Sequence, residues 1–206
     1  DFMSGICNIN FQPKMNVYSG LDQIPCDSSY CWPLPPIFPV ECGCVEQIKN
    51  VISQLITLYP AVDITVITDT GDYFTGRPKA LIPVGDSAGL FTLANSAGIV
   101  INAISLCRIA KIRVPSVTLY QGITYLPSCT SCQAGCEAKC EAAIRSYLAT
   151  FAPTAIVEIT TSNNEISIGT IYKIECGIVV LLAQTTGYPI FISACKIESV
   201  SPHIDT

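Results

Sequence analysis

One stretch of the chain occurs twice. Ile104-Ser105-Leu106-Cys107-Arg108-Ile109-Ala110-Lys111-Ile112 is matched by Ile192-Ser193-Ala194-Cys195-Lys196-Ile197-Glu198-Ser199-Val200. Both fit Ile-Ser-x-Cys-(Lys/Arg)-Ile-x-x-(Ile/Val). An internal repeat constrains a fold more than local propensity does, because the two copies must share one supersecondary unit. Reading backward extends the match: Pro60 with Pro153, Gly76 with Gly169, Leu93 with Leu182, Gly98 with Gly187, Cys107 with Cys195. The first copy is longer by four residues between its matched Gly and Leu, an insertion of the kind surface turns tolerate. The repeated stretch reads as the closing strand of a duplicated domain.

Each copy opens with a helical pattern. Val45, Ile48, Val51, Ile52, Leu55 and Leu58 fall on one helical face, and Pro60 follows. In the second copy Cys136 and Cys140 precede a helix of about ten residues holding Ala142, Ala143, Ile144, Tyr147 and Leu148, stopped before Pro153. Short β-branched runs come next. In the first copy they are Ile64 to Thr68, Tyr73 to Gly76, Ala80 to Val84, Leu90 to Asn95, Ile99 to Ala103 and Leu106 to Val114, with turns at Asp69-Thr70-Gly71-Asp72 and Ser96-Ala97-Gly98. In the second they are Ile156 to Thr161, Ile166 to Ile174, Ile178 to Ala183 and Tyr188 to Val200, with turns at Ser162-Asn163-Asn164-Glu165 and Thr185-Thr186-Gly187.

A helix followed by about five short, bent strands resembles an Sm-like barrel. The residues that carry the resemblance are Val157-Glu158-Ile159 up to Gly169-Thr170-Ile171, then Val179-Val180-Leu181-Leu182, then Phe191-Ile192 through Val200. The resemblance implies that the Gly sits where a long second strand bends, a place where a missing side chain avoids collision. It covers roughly residues 45 to 114 and 141 to 200. The turn leading into a Phe-Ile strand is similar to short Sm-like domains of spore-surface proteins in endospore-forming bacteria, and the Cys-rich flanks look like spore coat and exosporium proteins. The expected architecture is mainly β with short helices: two tandem Sm-like five-stranded barrels, each preceded by an α-helix, plus an extended N-terminal arm. The boundaries are residues 1–41 for the arm, 42–114 for the first domain, 115–135 for a connector with a Cys cluster, 136–200 for the second domain and 201–206 for a tail.

RNA binding does not follow from the resemblance. The loops around Ser162 to Glu165 and Gly187 lack the base-reading residues and the basic-Gly pair of RNA-binding Sm proteins, and Glu198 and Ser199 stand where a basic or Gly-rich ending would be. A net charge of -5 also disfavours binding through phosphates. With 13% charged residues, against about 25% in typical soluble domains, the surface suits packing against copies of itself or a partner. No run of 18 apolar residues exists, so no membrane span is expected. The chain starts at Asp1 with no basic, apolar, small-residue leader before it, which fits a processed product and leaves export open.

Twelve cysteines imply disulfides in an oxidising setting, or metal. The cross-link candidates are Cys7, Cys26, Cys31, Cys42, Cys44, Cys129, Cys132, Cys136, Cys140 and Cys176. The cluster Cys129, Cys132, Cys136 and Cys140 has the thiol count for zinc or an iron-sulfur site, but Cys132, Cys136 and Cys140 follow helical spacing, and disulfides to Cys42 and Cys44 or to other subunits are the favoured account, with metal as the runner-up. Cys107 and Cys195, inside predicted strands, read as small buried residues, with cross-linking as the alternative. In residues 1 to 41, Pro13, Pro25, Pro33, Pro35, Pro36 and Pro39 enforce an extended course. Tyr18, Tyr30, Trp32 and Phe38 interleave with them as anchors for a groove, on the same domain or on a neighbouring subunit.

No residues point to catalysis. Asp69-Thr70-Gly71 matches the aspartic protease triplet, but the second copy has Ser162-Asn163-Asn164 there, so one chain lacks the paired carboxylate. The single histidine, His203, lies in the tail, and Gly85-Asp86-Ser87-Ala88-Gly89 lacks the Lys of a phosphate loop. The expected function is therefore structural: a cofactor-free, non-enzymatic subunit that forms a homo-oligomer or polymer through its arm and strand edges, cross-linked by disulfides into a fibre or surface layer, extracellular or on a spore surface. The alternatives are an oligonucleotide-binding Sm-like ring and a metal or redox protein using the 129 to 140 cluster.

Overall fold

The computed structural model describes residues 43–84, 87–127 and 136–203. The arm, with Cys7, Cys26, Cys31, Cys42 and its aromatic residues, lies outside them, as do Cys129 and Cys132. Residues 43 to 203 belong to one compact unit. Its order is helix α1 (Cys44–Leu58), strands β1 (Ile64–Thr68), β2 (Tyr73–Val84), β3 (Ser87–Ala94), β4 (Val100–Ser105) and β5 (Ile109–Arg113), then helix α2 (Cys136–Leu148) and strands β6 (Ile156–Thr161), β7 (Ile166–Glu175), β8 (Ile178–Ala183), β9 (Pro189–Ser193) and β10 (Ile197–Pro202). Among the described residues no helix is long and apolar enough to cross a membrane.

The protein is mainly β, with a helix ahead of each group of five strands. All ten strands form one antiparallel sheet that does not close, in the order β10-β6-β7-β8-β9-β5-β1-β2-β3-β4. Each half repeats the same internal order, and the halves join where β9 pairs with β5. The elements differ from the sequence reading chiefly in three places. β2 runs unbroken where two strands were expected, because Pro78 pairs with Leu93 of β3 and a register shift after it keeps the ladder going. The closing stretches are each cut by a one-turn 3-10 helix, Leu106–Arg108 and Ala194–Lys196, so that they turn a corner between strands. Cys136 and Cys140 lie within α2 rather than before it.

The burial pattern explains the joining of the halves. α1 buries Cys44, Gln47, Ile48, Val51, Ile52 and Leu55 on one face, over a core that includes Val66, Phe91, Leu93, Ile104 and Ile112 of the first repeat. That core also takes Ile178, Val180 and Phe191 from β8 and β9 of the second repeat. The alternate residues, Val179, Leu181, Ile190 and Ile192, enter a second core with Leu148, Val157 and Ile159. Successive strand residues point to opposite faces, so β8 and β9 are apolar on both sides because each side has its own core. The unbroken run Ile178-Val179-Val180-Leu181-Leu182 follows from this.

Candidate functional site: the repeat junction and the sheet edges

At the junction Lys111 pairs with Ile192, Ile112 with Phe191 and Arg113 with Ile190. Polar contacts of two hairpin turns add to this short ladder. Glu165, in the β6–β7 turn, accepts from Arg113 Nη2 at 2.9 Å, while its backbone carbonyl accepts from Lys111 Nζ at 2.6 Å. Asp69, in the β1–β2 turn, lies 2.9 Å from Arg108 Nε of its own repeat and 2.8 Å from Lys196 Nζ of the second. Asn163 Nδ2 donates across to the Thr68 carbonyl at 2.8 Å. Asp69, read in sequence as half of a protease dyad, is thus held by two cations at a repeat contact.

Lys111 has a fully buried side chain, 3.7 Å from the Glu165 carboxylate. Burial, reinforced by the charge of Arg113, pulls its pKa down to about 7, while burial raises that of Glu165. The native pKa of Lys111 lies below its ordinary value of 10.5, so between about pH 7 and 10.5 the unfolded chain binds more protons. Stability from this group therefore rises with pH through that window and is flat below it. The difference in Tm between wild type and Lys111→Met, followed by thermal melts from pH 6 to 10.5, should move in favour of wild type by a few degrees above pH 7. A pH-independent difference would mean that Lys111 stays charged.

The third tie is covalent. Cys44, the first residue of α1, is disulfide-bonded to Cys195 in the Ala194–Lys196 turn, with Cα atoms 6.0 Å apart. The expectation that Cys107 and Cys195 are buried is corrected: both are exposed. Their 3-10 turns direct the preceding residue, Leu106 or Ala194, into the core and leave the cysteine outside. Cys107 is a free thiol. Cys176, 8% exposed in the β7–β8 turn, is disulfide-bonded. The adjoining Gly177 has φ +76°, and a Cβ there would lie 2.8 Å from Cys44 Cα. Cys136 begins α2, and Cys140 is exposed one turn later. The four-cysteine cluster lies partly outside the described residues; within them, no group of three or more His, Cys, Asp or Glu side chains could hold a metal.

The sheet ends in two strands that pair on one side. β4, at one end, is the first repeat's equivalent of β9, and β10, at the other, is the second repeat's equivalent of β5. All five residues of β9 are buried, whereas β4 leaves Val100 at 50% and Ile101 at 48% exposure, next to Ile99 at 63%. The sequence marked Ile99 to Ala103 as a strand, but its being an edge depends on the global strand order, which local pattern does not contain. No protein family model, curated protein or solved structure matches the chain.

Proposed function

We propose that the chain is a structural subunit that assembles head to tail through its sheet edges, forming a disulfide-cross-linked fibre or surface layer outside the cell or on a spore. The observation that carries this reading is the internal junction. A β9-type strand already pairs with a β5-type strand inside the chain, and among the described residues the same two strand types stand at the ends of the sheet with a partner on one side only. Joining β4 of one copy to β10 of the next would repeat a contact that these sequences demonstrably make. Transferring the β9–β5 register by the 88-residue offset between Cys107 and Cys195 pairs Ile104 with Ser199, Ala103 with Val200 and Asn102 with Ser201. The shared five-strand order supports treating each half as one Sm-like unit, so that each chain contributes two units to a continuous array.

An exposed, apolar edge strand is a template for pairing with another chain. Because the two edges differ, the contact is heterologous, and it yields a ring where the rotation closes and a filament where it does not. Repeated modest contacts suffice once cross-links join each subunit to its neighbours.

The double variant Val100→Lys/Ile101→Lys tests this reading. Both positions are half exposed, so the fold should be retained, while like charges on an edge oppose strand addition. Wild type is expected to show ordered oligomers or filaments by electron microscopy and light scattering. The variant should be shifted at least about tenfold toward monomer, with unchanged circular dichroism. A wild-type chain that stays monomeric at every concentration would overturn the proposal, as would a folded variant that assembles equally well.

A further inference from the structure

We infer that Cys107 is the nucleophile of a thiol–disulfide exchange site, where it attacks the Cys44–Cys195 bond and releases Cys44 as a thiolate. Such exchange takes place within one chain and needs no assembly. A cleft of about 300 Å³ is lined by Cys107, Cys44 and Cys195 together. Cys107 is an exposed free thiol, and the other two are bonded to each other, so nucleophile and target share one open cavity, which is what exchange requires. Contacts outside the cleft hold its walls together. Asp69 pairs with Arg108, the residue after Cys107, at 2.9 Å and with Lys196, the residue after Cys195, at 2.8 Å. The two cysteine-bearing turns are thereby tied to one side chain. Helix α1, which begins at Cys44, packs on the Leu106–Arg108 turn as well as on β8 and β9.

The surroundings distinguish the two sulfurs of the bond. Cys195 is exposed, whereas Cys44 is only 5% exposed, so an incoming thiolate has access to Cys195. Cys44 is the better leaving group. Its Sγ accepts from the Cys195 backbone N–H at 3.1 Å, and as the first residue of a 15-residue helix it stands where the helix dipole and unpaired N–H groups stabilise a thiolate. The carboxylates nearby are already paired. Glu46, in the first turn of α1, lies 3.6 Å from Lys49, and Glu141, on the cleft wall, lies 3.1 Å from Arg145.

The step balances without an outside oxidant. Cys107 gives its proton to solvent, and its thiolate attacks Cys195 Sγ. The Cys107–Cys195 bond forms as the Cys44–Cys195 bond breaks, and Cys44 departs with the electron pair and takes up a proton. One disulfide and one thiol remain, the thiol now at the head of α1.

To test this, the full chain is held in mildly alkaline buffer without reductant, quenched with acid, alkylated with N-ethylmaleimide in weakly acidic denaturant and digested without reduction. Mass spectrometry is expected to find a Cys107–Cys195 peptide together with alkylated Cys44, both growing with incubation time. Alkylated Cys44 should stand at least about tenfold above its level in Cys107→Ser. Cys44→Ser leaves thiols at Cys107 and Cys195 on the cleft, and oxidised glutathione should join them. Wild type in which Cys107 stays a free thiol at every time overturns the proposal, as does Cys44 alkylated equally in Cys107→Ser. Cys107 bonded to Cys44 overturns the choice of leaving group and the proposal with it. Cys107 bonded to Cys176, whose disulfide lines the same cleft, overturns it as well.

Discussion

Gly169→Ala is expected to cost about 3 kcal/mol or more of stability, the upper range for overpacking a closed interior. A Cβ at this position would lie 2.2 Å from the Leu182 carbonyl oxygen, 2.8 Å from its carbon and 3.2 Å from Ala183 Cα. All three atoms are backbone, so no side-chain rotation relieves the clash. β8 would have to move away from β7, yet its residues are locked into cores on both faces. The equivalent Gly76 provides an internal comparison. Its Cβ would meet the Ala94 carbonyl oxygen at 2.9 Å and otherwise the side chains of Leu93 and Ile101, on strands near the open end of the sheet. Gly76→Ala should therefore be distinctly milder. Urea denaturation of both variants checks the order, and a Gly169→Ala midpoint equal to that of wild type would show that β7 and β8 can separate without loss.

These two glycines were legible in sequence because the need they meet is local. A strand that must bend over its neighbour requires a residue without a side chain, and the repeat placed one in each copy. Helix α1 was legible for the same reason, its apolar spacing being visible within 15 residues. The sheet order was not, because nothing near Ile190 states that Phe191 faces the other repeat's core while its two neighbours face their own. The repeat alignment also slipped by one. Leu93 had been matched with Leu182, but Leu93 faces its own repeat's core and the residue that does so on β8 is Leu181. In a strand a one-residue shift exchanges faces, and a run of five apolar residues offers no alternation to prevent it.

The cysteines show the same limit from the side of chemistry. Cys107 and Cys195 have nearly identical neighbours, so sequence assigned them one fate, burial, and both are exposed. What separates them is the neighbour that the sheet supplies: the second repeat has the first beside β9, and among the described residues the first has no strand on the outer side of β4.

Cys195→Ser should consequently be far more costly than Cys107→Ser. The Cys44–Cys195 bond spans 151 positions, and closing so long a loop in the unfolded chain removes entropy worth about 4 to 5 kcal/mol in the chain-entropy view, with 2 to 4 kcal/mol typical of measured bonds. A loss of about 2 to 4 kcal/mol is expected, because the disulfide at Cys176 already restricts part of the unfolded chain. Cys107→Ser changes an exposed free thiol and should stay within about 0.5 kcal/mol. The double variant Cys44→Ser/Cys195→Ser distinguishes loss of the bond from loss of packing. Cys44 is 5% exposed, so a purely steric account predicts a further cost when it is changed too, whereas two halves of one bond give strongly non-additive losses. Guanidinium unfolding of monomer under non-oxidising, non-reducing conditions measures all four. Equal stability of Cys195→Ser and Cys107→Ser would mean that the β5–β9 ladder, the contacts of Asp69 and Glu165 and the core shared by both repeats hold them together without the bond, and that a copy of this junction between chains would need no cross-link to last.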